Sequence, residues 1–561
     1  MTTLGTGWRR DALLAVLLAA VLTAAWTLRD ATALAAMRLP DTDDLMRLVQ
    51  IRDWLDGQRF ADLTQHRLGF DGVPMHWTRL ADLGPAAIIL LISPLAGIAA
   101  AERIAVVAWP ALLFAGVLFV MARAARDVGG NRIAPVAMLL AALAHPATTY
   151  FAPGRIDHHG LQMLLWMIAV AGLLGPDRLL YGALIGGASA ASLVVGMETA
   201  PLLALLAAIL LAEAAWSGRR DRLVGYGGGL AFGLVAARCF APNFWFYPAC
   251  DGFTANAWVA SVIGAAAVFA GAGATALRDR RHRLAAVGVV GALAAWAVWR
   301  LTPACLSPYG ALDPLLVRVW LSQVAEARPL LATPAVAIGY GGLLVAGTLA
   351  AVHAVRAERT RGWIILLVLL VGALGLAMVQ ARAANGGALL ACLPLARIVV
   401  LARARGGWRM AGAWLGSAGI VYALIAQMTV PATAASAPGG TADMGCTPPA
   451  MLATLARQPA GLVLAPVDDG AMLIAHTPHR VLAAPYHRAG EAILASYRFY
   501  RLPPPAARRM AERLGVRYVL ACAAMPYRQV PGSMAAALQR GRAPLTGIAR
   551  VGTTTLYRVT P

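Results

Sequence analysis

Lysine is absent from the sequence: all 48 basic residues are arginine. Together with the abundance of alanine this fits a GC-rich coding bias, and no chemistry is read from it. Charge of either sign is scarce, at 13% of residues, against about 25% in an ordinary soluble domain. Hydrophobic residues make up 59% and the mean hydropathy is +0.66. That balance excludes an ordinary soluble globular protein and points to a polytopic membrane protein. The formal charge of +21 is not interleaved with aromatics as in single-strand binders, so nucleic acid is excluded as a partner. In a membrane protein such charge belongs in cytoplasmic loops. The six cysteines form no CxxC or other metal spacing. Cys446 and Cys522 fall together near the C-terminus, where a disulfide and two buried thiols are both open. There is no internal repeat, and polar residues do not gather at mid-membrane depth, which argues against a transporter. The apolar stretch after Arg9 and Arg10 lacks a small-residue cleavage site, so it is expected to remain as a first helix.

A membrane-spanning helix needs about 20 apolar residues. Such stretches fall near 11–29, 103–122, 133–150, 160–175, 179–195, 200–215, 223–240, 256–276, 284–301, 333–353, 362–379, 387–402 and 410–430. Arginines cluster in every second connection, as a single cytoplasmic side requires: at Arg9, at Arg123 to Arg132, at Arg178, at Arg219 to Arg222, at Arg278 to Arg283, at Arg356 to Arg361 and at Arg403 to Arg409. The alternation holds only if the apolar stretch 85–100, interrupted by Pro85 and Pro94, does not cross. The expectation is an α-helical polytopic membrane protein of about 13 transmembrane helices, with a cytoplasmic N-terminus. Its outer face would carry long loops at about 30–102 and 302–332. A transmembrane domain of residues 1–430 is followed by a Pro/Ala/Gly-rich linker at 431–440. In 441–561, strand-like runs (Gly461–Ala465, Arg517–Ala521, Leu556–Val559) alternate with helical patterns (Pro449–Arg457, Pro505–Leu514), which predicts a small extracytoplasmic α/β domain.

The candidate chemistry sits on the expected outer connections. Asp41, Asp43 and Asp44 are too close to coexist as carboxylates without a cation or arginine between them. They also suit a helix N-terminus, where aspartates satisfy free amides. Asp157, His158 and His159 combine carboxylate and imidazole, donors that suit divalent metals of the Mn to Zn range. As a short polar triplet at a helix start they read equally as a cap. Glu326 lies in the second long loop, and Arg382 in a short connection where its guanidinium matches phosphate geometry. Glu198, beside Pro201, is a further polar or interfacial group.

With these residues the sequence resembles the catalytic subunit of archaeal and bacterial oligosaccharyltransferases, within the GT-C class of polytopic glycosyltransferases. The family's first-loop D-P-Y-Y-H-Y-R is met by Asp41 to Arg47, its G-x-P-x-x-W by Gly72 to Trp77, and its D-H-H by Asp157, His158 and His159. Its late S/T-V/I-x-E is similar to Gln323 to Glu326, and its late arginine is matched by Arg382. The resemblance implies a divalent metal, Mn2+ or Mg2+, on Asp41, Asp157 and His159. Asp41 and Glu326 would be catalytic, Arg382 would hold the donor, and Arg47, His158 and Glu198 would support the site. It further implies an inverting transfer from a polyprenyl (pyro)phosphate donor to an acceptor protein, lipid or polysaccharide at a membrane. The location would be the periplasmic face of a bacterial inner membrane. The family's W-W-D-Y-G is not found; Pro466 to Gly470 stands in its place and no tryptophan follows residue 441. The acceptor is therefore not expected to be the usual asparagine sequon. The alternatives are a single-sugar transferase modifying an envelope lipid or polysaccharide, and a non-catalytic scaffold of the same fold.

Overall fold

The computed structural model describes residues 4–306, 312–430, 445–523 and 525–560. The linker expected at 431–440 lies outside them. Each apolar stretch forms a helix. Among the described residues eight helices are long and apolar enough to cross a membrane, and Gly407–Ser417 with Gly419–Met428, bent by 73°, makes up to nine. The remaining stretches form the shorter helices His159–Leu174, Leu179–Val195 and Arg361–Ala377. Ala134–Ala142, continued by the 3-10 turn Ala147–Phe151, completes the set. The chain is a multi-pass membrane protein. Leu83–Ala96, whose crossing would break the charge alternation, has 14 residues. At 1.5 Å per residue it reaches about 21 Å, short of a hydrocarbon core of about 30 Å.

Helix packing follows from small residues. Leu179–Val195 lies against the helix Asp221–Ala236 through Gly182 and Gly186 on one side and Gly225 and Gly229 on the other. A Cβ at any of the four would strike the facing backbone, at Arg222, Tyr226, Leu179 and Ala183 respectively. This is the close approach that a four-residue spacing of small residues allows in a membrane. At one end of the bundle the arginine clusters satisfy helix termini. Arg222 and Arg361 both donate to the Leu173 carbonyl, and Glu213 pairs with both. Carbonyls left over at a helix C-terminus carry partial negative charge, which a guanidinium complements.

At the other end, residues 445–560 fold on a five-stranded sheet. The strands are β3 (Leu462–Leu464), β4 (Arg480–Val481), β5 (Val516–Ala521), β6 (Thr546–Val551) and β7 (Thr554–Arg558), in the order β4-β3-β5-β7-β6. β3 runs parallel to β4 and β5; β7 is antiparallel to β5 and β6. The helices Pro449–Ala456 and Pro504–Arg513 lie where the apolar pattern places them. A small hairpin, β1 (Thr64–Gln65) with β2 (Val73–Pro74), belongs to the first long loop.

That loop and the C-terminal unit share one hydrophobic core. Leu45, Leu48, Val49 and Trp77 are buried in a single cluster with Val463, Leu473, Tyr486 and Ile493. The edge strand β4 is covered by the same loop: the Val481 N–H donates to Arg67 O, and its carbonyl accepts from Gly69 N–H. Covering an exposed edge removes its capacity for stray pairing. Arg52 and Arg67 of the loop donate to Ala475, Ile474 and Thr477 carbonyls at the end of the helix Gly470–His476. Two disulfides lie on this side of the molecule, Cys446–Cys522 and Cys250–Cys305. The first was one of two readings open in the sequence; the second was not foreseen.

Candidate active site

A cavity of about 380 Å3 opens where the connections meet. Every connection assigned to the outer face contributes to it: Asp41 and His76 from the first, Arg155 and His159 from the second, Glu198 from the third. Asp251, Glu326 and Arg382 follow from the next three, and Asp468, Tyr486 and His487 close it from the C-terminal unit.

Asp41 is the N-cap of the helix Thr42–Leu55, its side chain accepting from Asp43 N–H. Asp41 thus both caps a helix and lines the cavity. Asp44, one turn in, is fully buried and accepts from the Ile156 and Asp157 N–H groups at 2.8 and 2.9 Å. This locks the first connection to the second. Asp43 is raised to about 8, by burial and then by the neighbouring Asp41 and Asp157 carboxylates. Between the acids lies Arg155, absent from the sequence-based site. Its guanidinium is 2.9 Å from Asp41, 3.3 Å from Asp44 and 2.7 Å from Asp157. Burial works to raise the Asp157 carboxyl, but Arg155 and then His159 outweigh it and hold it at about 2. Gly154 permits the turn that delivers Arg155: its φ is +92° and a Cβ would collide with Pro40.

His158 and His159 begin the helix His159–Leu174. His158 Nε2 lies 3.0 Å from Glu198 Oε1, and Gln162 donates to Glu198 Oε2 at 2.9 Å. Gly196 makes this approach possible, since a Cβ there would run into the Glu198 carboxylate, the Gln162 amide and the His158 ring. His159 stacks on Tyr150 at 4.7 Å, and Tyr150 accepts from Asn385 at 2.8 Å. Across the cavity Arg382 and Glu326 form an ion pair at 3.6 Å.

The residues expected to hold a metal divide. Asp41 and His159 line the cavity, while Asp157 lies behind them, 1% exposed and turned to Arg155. Among the described residues, the trio whose ligand atoms gather within 4.8 Å is His158, His159 and Glu198. Its two imidazoles and one carboxylate suit ions of the Mn to Zn range. His158 Nδ1 is buried with no hydrogen-bond partner, as an unused ligand atom would be. Arg47 is not part of the cavity. It is fully buried beneath it, 2.9 Å from Asp82 and stacked over Trp77 at 4.5 Å.

Several lining residues were not legible as a site. Asp251 pairs with His487 and Arg488 at 2.5 Å each. Burial would raise its carboxyl, but the bonds from Arg488 and His487 prevail and hold it well below the usual range. Arg488 also donates to the Pro74 and Met75 carbonyls and stacks over Phe244 and Tyr247. It thereby joins the first loop, the 241–254 connection and the C-terminal unit. The signal available in the sequence was position: Cys250, Cys305, Cys446 and Cys522 all fall on outer connections, leaving Cys239 and Cys392 near or within spans.

No family model and no curated protein sequence matches the chain. Solved structures do match. The oligosaccharyltransferase of Archaeoglobus fulgidus in its apo form has a TM-score of 0.69 at 16% identity, covering 93% of this chain and 70% of that one. The same protein in complex with Zn and sulfate has a TM-score of 0.63 at 16% identity, with 86% and 64% covered. In complex with an inhibitory peptide and a dolichol-phosphate it has 0.63 at 16%, with 92% and 70% covered. The fold is that of the GT-C membrane glycosyltransferases, as the resemblance in the sequence implied.

Proposed function

We propose that the chain is an inverting membrane glycosyltransferase. It transfers a glycan from a polyprenyl (pyro)phosphate donor to an acceptor at the outer face of the inner membrane. The observation that carries this reading is the convergence of all the connections read as outer on one cavity that holds two arginines, four histidines and several acids. A donor phosphate would take Arg382 from its partner Glu326. The freed Glu326 carboxylate would then accept the proton of the acceptor nucleophile as that nucleophile bonds to the sugar C1. The C1–O bond breaks with its electron pair going to the phosphate, and polyprenyl (pyro)phosphate leaves. Asp41, across the cavity, would orient the acceptor, with Asp468, Tyr486 and His487 around its far end. A divalent metal would be held by His158, His159 and Glu198, and would neutralise charge on the leaving phosphate. Of Mn2+ and Mg2+, the mixed nitrogen and oxygen donors favour Mn2+, since Mg2+ prefers oxygen throughout.

Undecaprenyl phosphate tests the donor side without knowledge of the sugar. It is expected to raise the melting temperature of the detergent-purified protein, with the shift lost in Arg382→Ala and kept in Glu326→Gln. A wild-type protein that shows no shift up to the solubility limit of the lipid would remove this reading.

A further inference from the structure

The resemblance to oligosaccharyltransferases places a metal ion on Asp41 and Asp157, but the geometry there describes a position already taken by a cation. Three carboxylates converge, from Asp41, Asp44 and Asp157, and each gives one oxygen to the Arg155 guanidinium, at 2.9, 3.3 and 2.7 Å. Each remaining oxygen is engaged as well. Asp41 Oδ1 accepts from Asp43 N–H and from the Thr42 hydroxyl. Asp44 Oδ1 accepts from Ile156 and Asp157 N–H. Asp157 Oδ1 accepts from His159 N–H. A divalent ion needs carboxylate oxygens at about 2.0–2.6 Å, arranged around a point that it alone occupies. Here those oxygens face the Nη1 and Nη2 nitrogens of one planar guanidinium whose charge is permanent, hydrogen-bonded to Asp41 and Asp157 and in ion-pair contact with Asp44 Oδ2.

The backbone fixes this arrangement. Gly154, in the left-handed region and pressed on Pro40, sets the turn. The Asp44 carboxylate holds the two amides that follow Arg155, so the side chain starts from an anchored base. Arg155 is 12% exposed, and it also lines the cavity.

We propose that Arg155 is the resident cation of the Asp41, Asp44 and Asp157 cluster, that this cluster binds no divalent metal, and that positive charge reaches this wall of the cavity from a side chain. A metal ion, where one binds, belongs to the neighbouring histidine and glutamate trio. The inference concerns ion binding alone and stands whether or not the chain transfers sugar.

The test is Mn2+ binding to the full-length protein in detergent, counted by electron paramagnetic resonance of the free ion and by calorimetry. Wild type and Asp157→Asn are expected to bind the same number of Mn2+ ions with affinities within about twofold. Arg155→Met is expected to gain one ion per chain, bound at least tenfold more tightly than any wild-type ion attributable to Asp157. Adding Asp157→Asn to Arg155→Met removes that ion, and Arg155→Lys, which keeps the charge, gains none. Thermal unfolding of each variant controls for folding. If Arg155→Met does not fold, the comparison of wild type with Asp157→Asn still decides. A wild-type protein that loses an ion on Asp157→Asn overturns the proposal, and so does a folded Arg155→Met that gains none.

Discussion

Asp251→Ala is the sharpest single perturbation of the way the C-terminal unit is docked. Asp251 and Arg488 are 3% and 2% exposed and 2.5 Å apart. Removing the acid leaves a buried guanidinium without its counter-charge, which costs about 3–5 kcal/mol. A hydrophobic replacement of both partners at once is close to neutral in such pairs. At about 2–4 °C per kcal/mol for a unit of 150–250 residues, Asp251→Ala should lower the melting temperature by about 6–20 °C. Asp251→Leu with Arg488→Met should fall by less than Asp251→Leu alone. The remaining loss would come from the Arg488 bonds to the Pro74 and Met75 carbonyls. The assay is intrinsic-fluorescence melting in detergent, with limited proteolysis of residues after 445 as an independent readout. Because the folded Asp251 carboxyl lies below its ordinary value, its contribution is complete above about pH 4 and is lost as the pH falls through the folded value. The gap between wild type and variant should therefore stay constant from pH 5 to pH 8. An Asp251→Ala protein melting within about 1 °C of wild type, or a double variant no better than the single, refutes the reasoning.

Asp469, buried within the C-terminal unit, is raised to about 7, by burial above all and against the opposing bonds from Thr447 and Cys446. A raised folded value confers stability that is complete below the ordinary carboxyl pKa and lost as the pH climbs through the folded one. Wild type should therefore lose ground to Asp469→Asn between about pH 4 and pH 7 and run parallel above that; a constant difference across melts from pH 4 to 8 would contradict it. Cys446–Cys522 closes a loop of 76 residues, for which loop-closure entropy amounts to about 4 kcal/mol. Cys446→Ser with Cys522→Ser should melt well below wild type, and reductant, which also opens Cys250–Cys305, should lower the wild-type melt by at least as much; an unchanged melt of the variant would show that the bond adds nothing.

Much of the bundle was legible because hydropathy and the alternation of arginine are local signals repeated along the chain. The stretch 85–100 forms a helix of 14 residues, and its reading as a non-crossing segment rests on the arginine alternation, since a crossing there would place every later cluster on the other side. The strands β3, β5 and β7 could be read from apolar runs, whereas β6, with Gly547, Arg550 and little burial, gave no such pattern. In the site, Asp41, Glu326, Arg382 and the two histidines were found through motif order. The acids call for a cation or an arginine between them, but nothing in the sequence singles out Arg155 as that group. The pairing with Asp41 spans 114 residues, and no periodicity reports contacts at that range. Arg47, a supporting residue by the first-loop resemblance, lies outside the cavity lining, and its partner Asp82 is one that sequence spacing does not connect to it. Asp251 and His487 are separated by 236 residues and carry no motif.

The core shared by the first long loop and the C-terminal unit sets an order of assembly. The loop leaves the ribosome just after the first helix, yet part of the core around Leu45, Leu48 and Trp77, including Val463, Leu473 and Tyr486, is synthesised only after the last membrane helix. The acids beside them find Arg155 and the Ile156 and Asp157 amides in an early connection, but this apolar face stays uncovered while the intervening helices insert. A nascent chain thus carries most of the cavity wall, and Asp468, Pro485, Tyr486 and His487 close it in one late step, when the final segment docks. Truncation anywhere before residue 445 would leave helices able to insert and a site unable to form.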